Sequence, residues 1–364
     1  MEFSSFAITV TEECNFNCSY CYQKKGRRCC DTETIERALE FFSPFFAEDC
    51  YISFYGGEPL LAFDKIKHAV NYLEKYCRSK NKSFHYSFTT NGSLIDKEVL
   101  QFLDQHKFSV LLSFDGLAQE IFRKKGSFAA VVSVIEKLLI NPHTDFQTNS
   151  VFTPESVGYL AQSIQFIIEL GVLNLHIAFS SLSPWEDSSL SLLRKELASL
   201  RRFLVSFYRE KGTVPVRIFR KHPKGIYGCN AGKDRLNLAP DGKLWGCYLV
   251  RDYFNRYKGN QNYHQYCFGN LDSFIKDHQK IYPKILSNYS KLRMDYYHTS
   301  EKLCMLCDEL ESCVVCPMDA AFSGEAIGKI PDWKCRMKKV IRSERDLFWK
   351  ELEEQKISIE KADV

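Results

Sequence analysis

The chain has 364 residues, 45% of them apolar, which is enough to bury the core of one large domain and a smaller one. Its 49 basic and 45 acidic side chains give a formal net charge of +4, too balanced to indicate a nucleic-acid-binding protein. The chain starts with no signal-peptide pattern, and no apolar run approaches membrane-spanning length. We therefore expect a cytoplasmic protein without membrane contact.

Fifteen cysteines are many for such a chain. A secreted disulfide scaffold would be short and would carry a signal peptide, so clustered cysteines here favour metal or iron–sulfur ligands. Some cysteines have no ligand spacing, and we interpret them as structural or incidental. These are Cys29, Cys30, Cys50 and Cys77.

A strand is predicted over residues 6–10, and Cys14, Cys18 and Cys21 follow it. Three thiols so close in sequence can converge only if the segment curls into a loop. Three thiolates are one short of the four that usually hold a [4Fe–4S] cluster. One iron would then keep a free position, much as a catalytic zinc does. The alternatives are three unrelated thiols or a zinc knuckle that lacks its fourth ligand.

Strands and helices alternate along the next two hundred residues. We predict strands over 50–55, 83–90, 108–114, 146–152 and 173–179, and helices over 31–42, 63–76, 96–106, 128–139, 155–170 and 190–210. This alternation requires parallel strands, and their nearly continuous apolar character indicates cover on both faces. The polar and glycine motifs lie at the carboxyl ends of the strands, where such α/β folds place their sites.

The second strand ends in Gly56-Gly57-Glu58-Pro59. Two glycines allow close approach of the backbone to a ligand and permit angles closed to other residues. Exposed carbonyls and the Glu58 carboxylate could accept hydrogen bonds from an ammonium group, and Pro59 fixes the exit of the chain. A Gly-Gly pair alone is more often only a turn, so this motif gains weight from the cysteine loop before it.

Together, the two motifs resemble those of the radical S-adenosylmethionine (radical SAM) enzymes. The resemblance implies a partial (β/α)6 TIM-like barrel and a [4Fe–4S] cluster held by Cys14, Cys18 and Cys21, whose open iron chelates SAM. It also implies reductive cleavage of SAM to methionine and a 5′-deoxyadenosyl radical. For Arg123, an exposed helix residue is the alternative to a carboxylate contact. The residues to which the resemblance gives cofactor contacts are Tyr20, Gly56, Gly57, Glu58, Pro59, Ser113, Asp115, Arg123 and Asn149.

From about residue 222 to residue 332 helical periodicity fades and glycine, tyrosine, asparagine and cysteine increase. We therefore predict a core over residues 1–215, a smaller, mostly irregular cysteine-rich domain over 216–340, and a C-terminal helix and tail over 341–364. Because the first predicted strand lies close to the start of the sequence, we expect no separate leader-binding domain before it.

The cysteines of the second domain resemble the SPASM extension of radical SAM peptide and protein maturases, although the gap before Cys316 has two residues rather than three. The resemblance implies two auxiliary Fe–S clusters, expected to be [4Fe–4S]. The outer one would be held by Cys304, Cys307, Cys313 and Cys335. The inner one would be held by Cys229, Cys247 and Cys316, with Cys267 or an open position as the fourth ligand. A zinc ribbon is the alternative, because paired Cys-x-x-Cys units are also its pattern.

The implied function is modification of a peptide or protein substrate, with a thioether or carbon–carbon crosslink as the leading reaction and an external flavodoxin or ferredoxin as electron donor. Oxidation of a sulfatase residue to formylglycine is the runner-up. Its base would be an aspartate directly after the Gly-x4-Cys cysteine, where this chain has Tyr248, although Asp252 is near. From another class, the second domain could be a zinc-ribbon interaction module.

Overall fold

The structure, a computed structural model, describes residues 1–80, 82–221, 223–260, 262–323 and 326–355. Its strands are β1 (Phe3–Thr11), β2 (Phe46–Gly56), β3 (Ser83–Thr90), β4 (Ser109–Ser113), β5 (Asp145–Phe152), β6 (Leu175–Phe179), β7 (Arg235–Leu238), β8 (Lys243–Trp245) and β9 (Cys267–Asn270). Its helices are α1 (Thr32–Phe42), α2 (Phe63–Lys80), α3 (Lys97–Gln105), α4 (Gln119–Phe122), α5 (Phe128–Leu139), α6 (Leu160–Glu169), α7 (Asp187–Lys211), α8 (Tyr248–Arg256), α9 (Tyr263–Tyr266), α10 (Leu271–Tyr289), α11 (Pro317–Ala321) and α12 (Asp332–Glu354).

The nine strands form one sheet in the order β6-β5-β4-β3-β2-β1-β7-β8-β9. Strands β1 to β6 pair in parallel with their neighbours in sequence, and helices separate them along the chain. Parallel strands need such crossovers, and right-handed crossovers in this unreversed order place the helices on one face, as in a partial barrel. The predicted α/β fold class is confirmed.

Local sequence explains where the elements begin. The Asp31 side chain caps α1 by accepting from the Thr34 N–H at 2.7 Å, and Asp96 caps α3 in the same way. The apolar stripe of α1, which includes Ile35 and Leu39, is fully buried. Strand β2 starts four residues before the predicted position, because the short 3₁₀ turn Ser43–Phe45 already ends the preceding helix.

The C-terminal part extends the same sheet. Strand β7 pairs in parallel with β1, and β8 and β9 continue antiparallel. Helix α10 was not predicted, because Pro283 lies within its sequence. Its backbone is also non-helical at Asp277. The predicted domain limits stay a prediction: residue 340 lies within α12, and residues 356–364 lie outside the described part of the chain. No described helix has the length and apolarity of a membrane span.

Candidate active site

A cavity of about 370 Å³ opens at the carboxyl ends of the parallel strands. Most of the predicted core site residues line it, namely Cys14, Cys18, Tyr20, Cys21, Gly56, Gly57, Ser113, Arg123 and Asn149. Residues of the cysteine-rich part line it as well, among them Tyr248, Asp319 and Phe322. The two parts of the chain therefore share one cavity.

Hydrogen bonds fix the cysteine loop to the sheet. The Asn91 amide, just after β3, donates to the Asn15 side-chain oxygen at 2.8 Å, and the Asn15 amide donates to the Ser93 hydroxyl at 2.9 Å. Within the loop, the Phe16 N–H donates to the Cys14 sulfur at 3.4 Å. The three loop cysteines are free thiols that face one cavity, so the convergence expected from their spacing is present.

Burial raises the pKa of all three loop thiols, that of Cys18 to about 11. Arg123 opposes this rise at Cys18, and Lys25 opposes it at Cys14 and Cys21. Thiols in this state are protonated near neutral pH, and a bound metal would supply the positive charge that holds them as thiolates. The donor set thus fits an Fe–S cluster.

Close packing explains the two glycines of the Gly56–Pro59 motif. A Cβ on Gly57 would lie 2.1 Å from the Glu13 carbonyl oxygen and 2.9 Å from the Cys14 Cβ. One on Gly56 would lie 2.4 Å from the Thr11 carbonyl oxygen. Neither residue has a positive φ, so a left-handed backbone does not account for the glycines here. What requires glycine is the approach of this strand end to the cysteine loop.

Glu58 lies behind the cavity wall and is 1% exposed. Its carboxylate accepts from the Thr90 hydroxyl at 2.7 Å, the Asn91 N–H at 2.8 Å and the Leu60 N–H at 3.2 Å. Burial raises its pKa to about 7, against the lowering effect of these donors. Glu58 and Pro59 are not among the described residues that line the cavity, so in this structure the carboxylate holds strand ends together.

Asp115 also lies behind the wall and is fully buried. It accepts from Arg123 Nη2 at 2.9 Å, from the Val151 N–H at 2.8 Å and from the Tyr20 hydroxyl. Arg123 Nε completes the ion pair at 2.9 Å from the second carboxylate oxygen. Arg123 is only 8% exposed, in contrast to the alternative of an exposed helix residue. Asp115 thus positions two predicted cofactor contacts, Tyr20 and Arg123, without lining the cavity itself.

His176 was not predicted as a site residue. Ser113, Asn149 and His176 stand side by side across β4, β5 and β6, and His176 Nδ1 lies 2.7 Å from the Asn149 side-chain oxygen. Burial and nearby cations lower the pKa of His176. The signal that could have identified it is strand pairing: in a parallel sheet, a residue of the predicted strand 173–179 comes to lie beside Asn149 on the predicted strand 146–152.

Aromatic side chains and one carboxylate form the wall from the cysteine-rich part. Tyr248 stacks on Tyr55 with ring centroids 3.9 Å apart, and Phe322 packs against Tyr22 at 5.0 Å. Asp319 lines the cavity and is held by the Ser181 hydroxyl at 3.2 Å and by Lys334 Nζ at 3.3 Å. Sequence reasoning missed Asp319, whose only signal is its position three residues after Cys316.

Asp252, the carboxylate considered as a base for formylglycine formation, is buried away from the cavity lining. It is 1% exposed, accepts from Arg251 at 2.8 Å and from Gln23 at 3.1 Å, and is not among the described residues that line the cavity. Its contacts hold α8 against the cysteine loop.

The four predicted outer ligands surround one small cavity of about 30 Å³. They are Cys304, Cys307, Cys313 and Cys335. Three cations, Lys302, Lys338 and Arg342, line the same cavity together with one carboxylate, Glu309. This excess of positive charge fits an anionic group ligated by four thiolates.

The three predicted inner ligands also lie together. Cys316 is influenced electrostatically by Cys247, and Cys247 by Cys229, while burial raises the pKa of Cys316 to about 12 and that of Cys247 to about 11. Cys267, the possible fourth ligand, is buried and lies on β9 opposite Trp245. The structure thus gives Cys267 a neighbour outside the inner set.

The arrangement of these thiols also bears on the zinc alternative. Across the described residues, no three His, Cys, Asp or Glu side chains are arranged to hold a single metal ion. A zinc ribbon draws four sulfurs to about 2.3 Å from one ion. A cluster attaches each thiolate to a different iron and therefore spreads them further apart. Iron and zinc content after reconstitution therefore distinguishes the two alternatives.

Residues 8–177 match the model of the radical SAM superfamily. The chain contains a radical SAM domain. The match runs from the second half of β1 into β6 and includes the cysteine loop and Gly56–Pro59. The predicted radical SAM domain is confirmed for this part of the chain, and so is the prediction of an enzyme.

A curated relative is the radical SAM cyclopropyl synthase TigE of Paramaledivibacter caminithermalis, 23% identical over 296 residues. The alignment covers 72% of this chain and 60% of TigE. Among solved structures, anSMEcpe with bound AdoMet and the Kp18Cys peptide has a TM-score of 0.74 at 19% identity, over 96% of this chain and 99% of that one. Streptococcus suis SuiB bound to the precursor peptide SuiA has a TM-score of 0.57 at 17% identity, over 90% and 75%. These likenesses show a shared fold.

Proposed function

We propose that the protein is a radical SAM maturase that modifies a peptide or protein substrate with the help of two auxiliary Fe–S clusters. The observation that carries this proposal is the shared cavity, in which the cysteine loop of the radical SAM domain faces side chains of the cysteine-rich part. A substrate in this cavity would touch both parts. The peptides bound to anSMEcpe and SuiB support a peptide as substrate class.

Cys14, Cys18 and Cys21 would hold the first cluster, and SAM would lie against Gly56, Gly57 and the residues around Arg123. When bound, the cluster and SAM would together supply one-electron cleavage of the sulfonium and a radical that takes hydrogen from the substrate. Tyr20 and Arg123 are kept in place by Asp115, so they present fixed surfaces to the cofactor. Tyr55 and Tyr248 close one side of the cavity and limit the access of water.

The remaining cysteines would hold the auxiliary clusters, with Cys304, Cys307, Cys313 and Cys335 on the outer one and Cys229, Cys247 and Cys316 on the inner one. Fe–S centres can accept the electron that a substrate radical must lose when a crosslink forms. A crosslink, thioether or carbon–carbon, remains the leading reaction, and a flavodoxin or ferredoxin is the expected donor of the first electron.

The first test needs no substrate. Protein reconstituted anaerobically with iron and sulfide is analysed for iron and zinc, then incubated with SAM and a reductant, and 5′-deoxyadenosine is measured. We expect iron for three clusters and formation of 5′-deoxyadenosine. The triple variant Cys14→Ala, Cys18→Ala, Cys21→Ala should lose about a third of the iron and all of the product.

Cys29→Ala is the matched control, because Cys29 is exposed and lies outside all three thiol groups. It should keep both the iron and the product. Stoichiometric zinc in place of iron would contradict the proposal and favour the zinc-ribbon module. So would 5′-deoxyadenosine formation by the triple variant.

A second candidate, oxidation of a sulfatase cysteine or serine to formylglycine, is favoured by the carboxylate of Asp319. It lines the cavity, whereas Tyr248 occupies the position expected for the base. Incubation with SAM, reductant and the Kp18Cys peptide, followed by mass spectrometry, tests this candidate. Conversion of a cysteine side chain to an aldehyde would select it over crosslinking, and an unchanged peptide would reject it.

A further inference from the structure

The side chain of Tyr297 is buried deep in the cysteine-rich part, with 1% of its surface exposed. Its hydroxyl has no hydrogen-bond partner among the described residues. A buried hydroxyl without a partner is destabilising, and native proteins rarely leave one. This hydroxyl therefore indicates a group that accepts its hydrogen bond in the working protein.

The surroundings of Tyr297 identify that group. The segment before it pairs with the segment that carries Cys229, since the Cys229 N–H donates to the Leu292 carbonyl at 2.8 Å and the Met294 N–H to the Tyr227 carbonyl at 3.0 Å. Tyr297 belongs to the same small buried cluster as Val315, the residue before Cys316. The Tyr297 backbone contacts an outer ligand, since the Cys304 N–H donates to its carbonyl at 2.9 Å, whereas its hydroxyl lies toward the inner thiols Cys229 and Cys316.

Electrostatics agree with this placement. Burial raises the pKa of Tyr297, and Cys229 and Cys316 are the largest charged contributions in the same direction. A phenol hydroxyl can donate a hydrogen bond, whereas a thiolate or sulfide beside it can only accept one. The neutral hydroxyl suits an anionic acceptor held by these thiols, and sulfur atoms of an Fe–S cluster accept hydrogen bonds.

We propose that the Tyr297 hydroxyl donates a hydrogen bond to the inner auxiliary cluster and raises its reduction potential. This inference rests on the proposed function, because it requires a cluster on Cys229, Cys247 and Cys316. Reduction adds negative charge to the cluster, and a donor stabilises the reduced form more than the oxidised one. In this proposal Tyr297 acts on the cluster through a hydrogen bond and is not its fourth ligand.

The test compares the full-length chain with its Tyr297→Phe variant. Both carry the Cys14→Ala, Cys18→Ala, Cys21→Ala background, so that only auxiliary clusters contribute signals. Iron content is measured first, and the midpoint potentials are then found by redox titration followed by electron paramagnetic resonance. The signal lost in Cys229→Ala identifies the inner cluster. We expect Tyr297→Phe to keep its iron and to move this midpoint to a more negative potential.

Tyr296→Phe serves as control, because the neighbouring tyrosine is 64% exposed and its variant should leave the midpoint where it is. An unchanged midpoint in Tyr297→Phe would overturn the inference. Loss of inner-cluster iron in that variant would overturn it too, in favour of a tyrosine ligand. If the background protein binds no inner cluster at all, the proposed function itself fails, an outcome visible in the iron content before any titration.

Discussion

The thiol sites of the two regions are held in different ways. Around Cys14, Cys18 and Cys21, side chains from several strands bind one another, as Asn15 does with Asn91 and Glu58 with Thr90. Around the outer thiols, local turns dominate: the Cys307 N–H donates to the Cys304 carbonyl and the Cys313 N–H to the Leu310 carbonyl. The first site is thus held by contacts between strand ends of the sheet, and the second by hydrogen bonds within its own loops.

The apolar packing differs in the same sense. The sheet and its helices share one continuous core, whereas the outer thiols pack with a separate small cluster. Its buried members are Met294, Tyr297, Cys304, Val315, Ala320 and Ile330. So few residues stabilise little by themselves, and small units of this kind usually depend on metals or disulfides. The comparison therefore indicates a preformed site in the radical SAM domain and a metal-dependent one in the cysteine-rich part.

Removal of iron should have the largest effect, because it tests this contrast directly. When a metal group is removed from a site that has little core of its own, the fold around it is lost. After anaerobic chelation, we expect residues 294–323 to lose their protection from hydrogen exchange, while β1 to β6 keep theirs. Hydrogen–deuterium exchange with mass spectrometry measures both regions in one sample.

The reconstituted protein is the reference for this experiment, and added iron and sulfide should restore the protection. If chelation left the outer turns as protected as before, the cysteine-rich part would be self-supporting. If instead the strands near Cys14 opened first, the contrast between the two regions would be reversed.

Breaking the buried pair behind the cavity should have the next largest effect. Asp115→Asn would leave Arg123 buried without its carboxylate, and loss of one partner from a buried pair costs about 3 to 5 kcal/mol. We expect a decrease of that size in the free energy of unfolding of the radical SAM domain. Urea titration at a fixed metal content measures it.

Asp272→Asn is the matched control, because Asp272 pairs with Arg37 on the surface, where the two side chains are 68% and 46% exposed. Exposed pairs contribute at most about 1 kcal/mol. Equal effects of the two variants would mean that the Asp115 pair gives the preformed site no special stability.

Much of the radical SAM domain could be predicted, because its sequence repeats the same physical signals. The predicted strand at residues 83–90 and the helix at residues 128–139 agree with β3 and α5 at both ends. Periodic apolar faces and cap residues fix such elements locally. Helix α10, by contrast, was missed because it contains Pro283, and the helix forms because tertiary packing supports it.

Side-chain direction was the harder part of the site. The motif Gly56–Pro59 was recognised from the sequence. Which of its residues faces the cavity depends on how β2 pairs with its neighbours β1 and β3. Glu58 looks like a ligand for an ammonium group in the sequence and serves as a clamp between strand ends in the structure. Asp319 reaches the cavity only because the cysteine-rich part folds back over the sheet, which no local pattern shows.

The smallest predicted effect concerns Gly57 and asks how tightly the preformed site is packed. In Gly57→Ala, the new Cβ would meet the Glu13 carbonyl oxygen and Cys14, so the cysteine loop must shift. Overpacking of this kind costs about 1 to 3 kcal/mol. We expect that loss of stability together with weaker retention of iron by the N-terminal thiols, measured by urea titration and by iron release to a chelator.

Gly225→Ala is the matched control, since a Cβ there meets no atom within 4 Å and the residue has no left-handed backbone angle. Its effect should be neutral or slightly stabilising, because alanine restricts the unfolded chain more than glycine does. If Gly57→Ala kept its iron as well as Gly225→Ala does, the loop would yield to the new methyl group. The thiols of the radical SAM domain would then be as adaptable as those of the cysteine-rich part, and the two sites would differ in their surroundings but not in their rigidity.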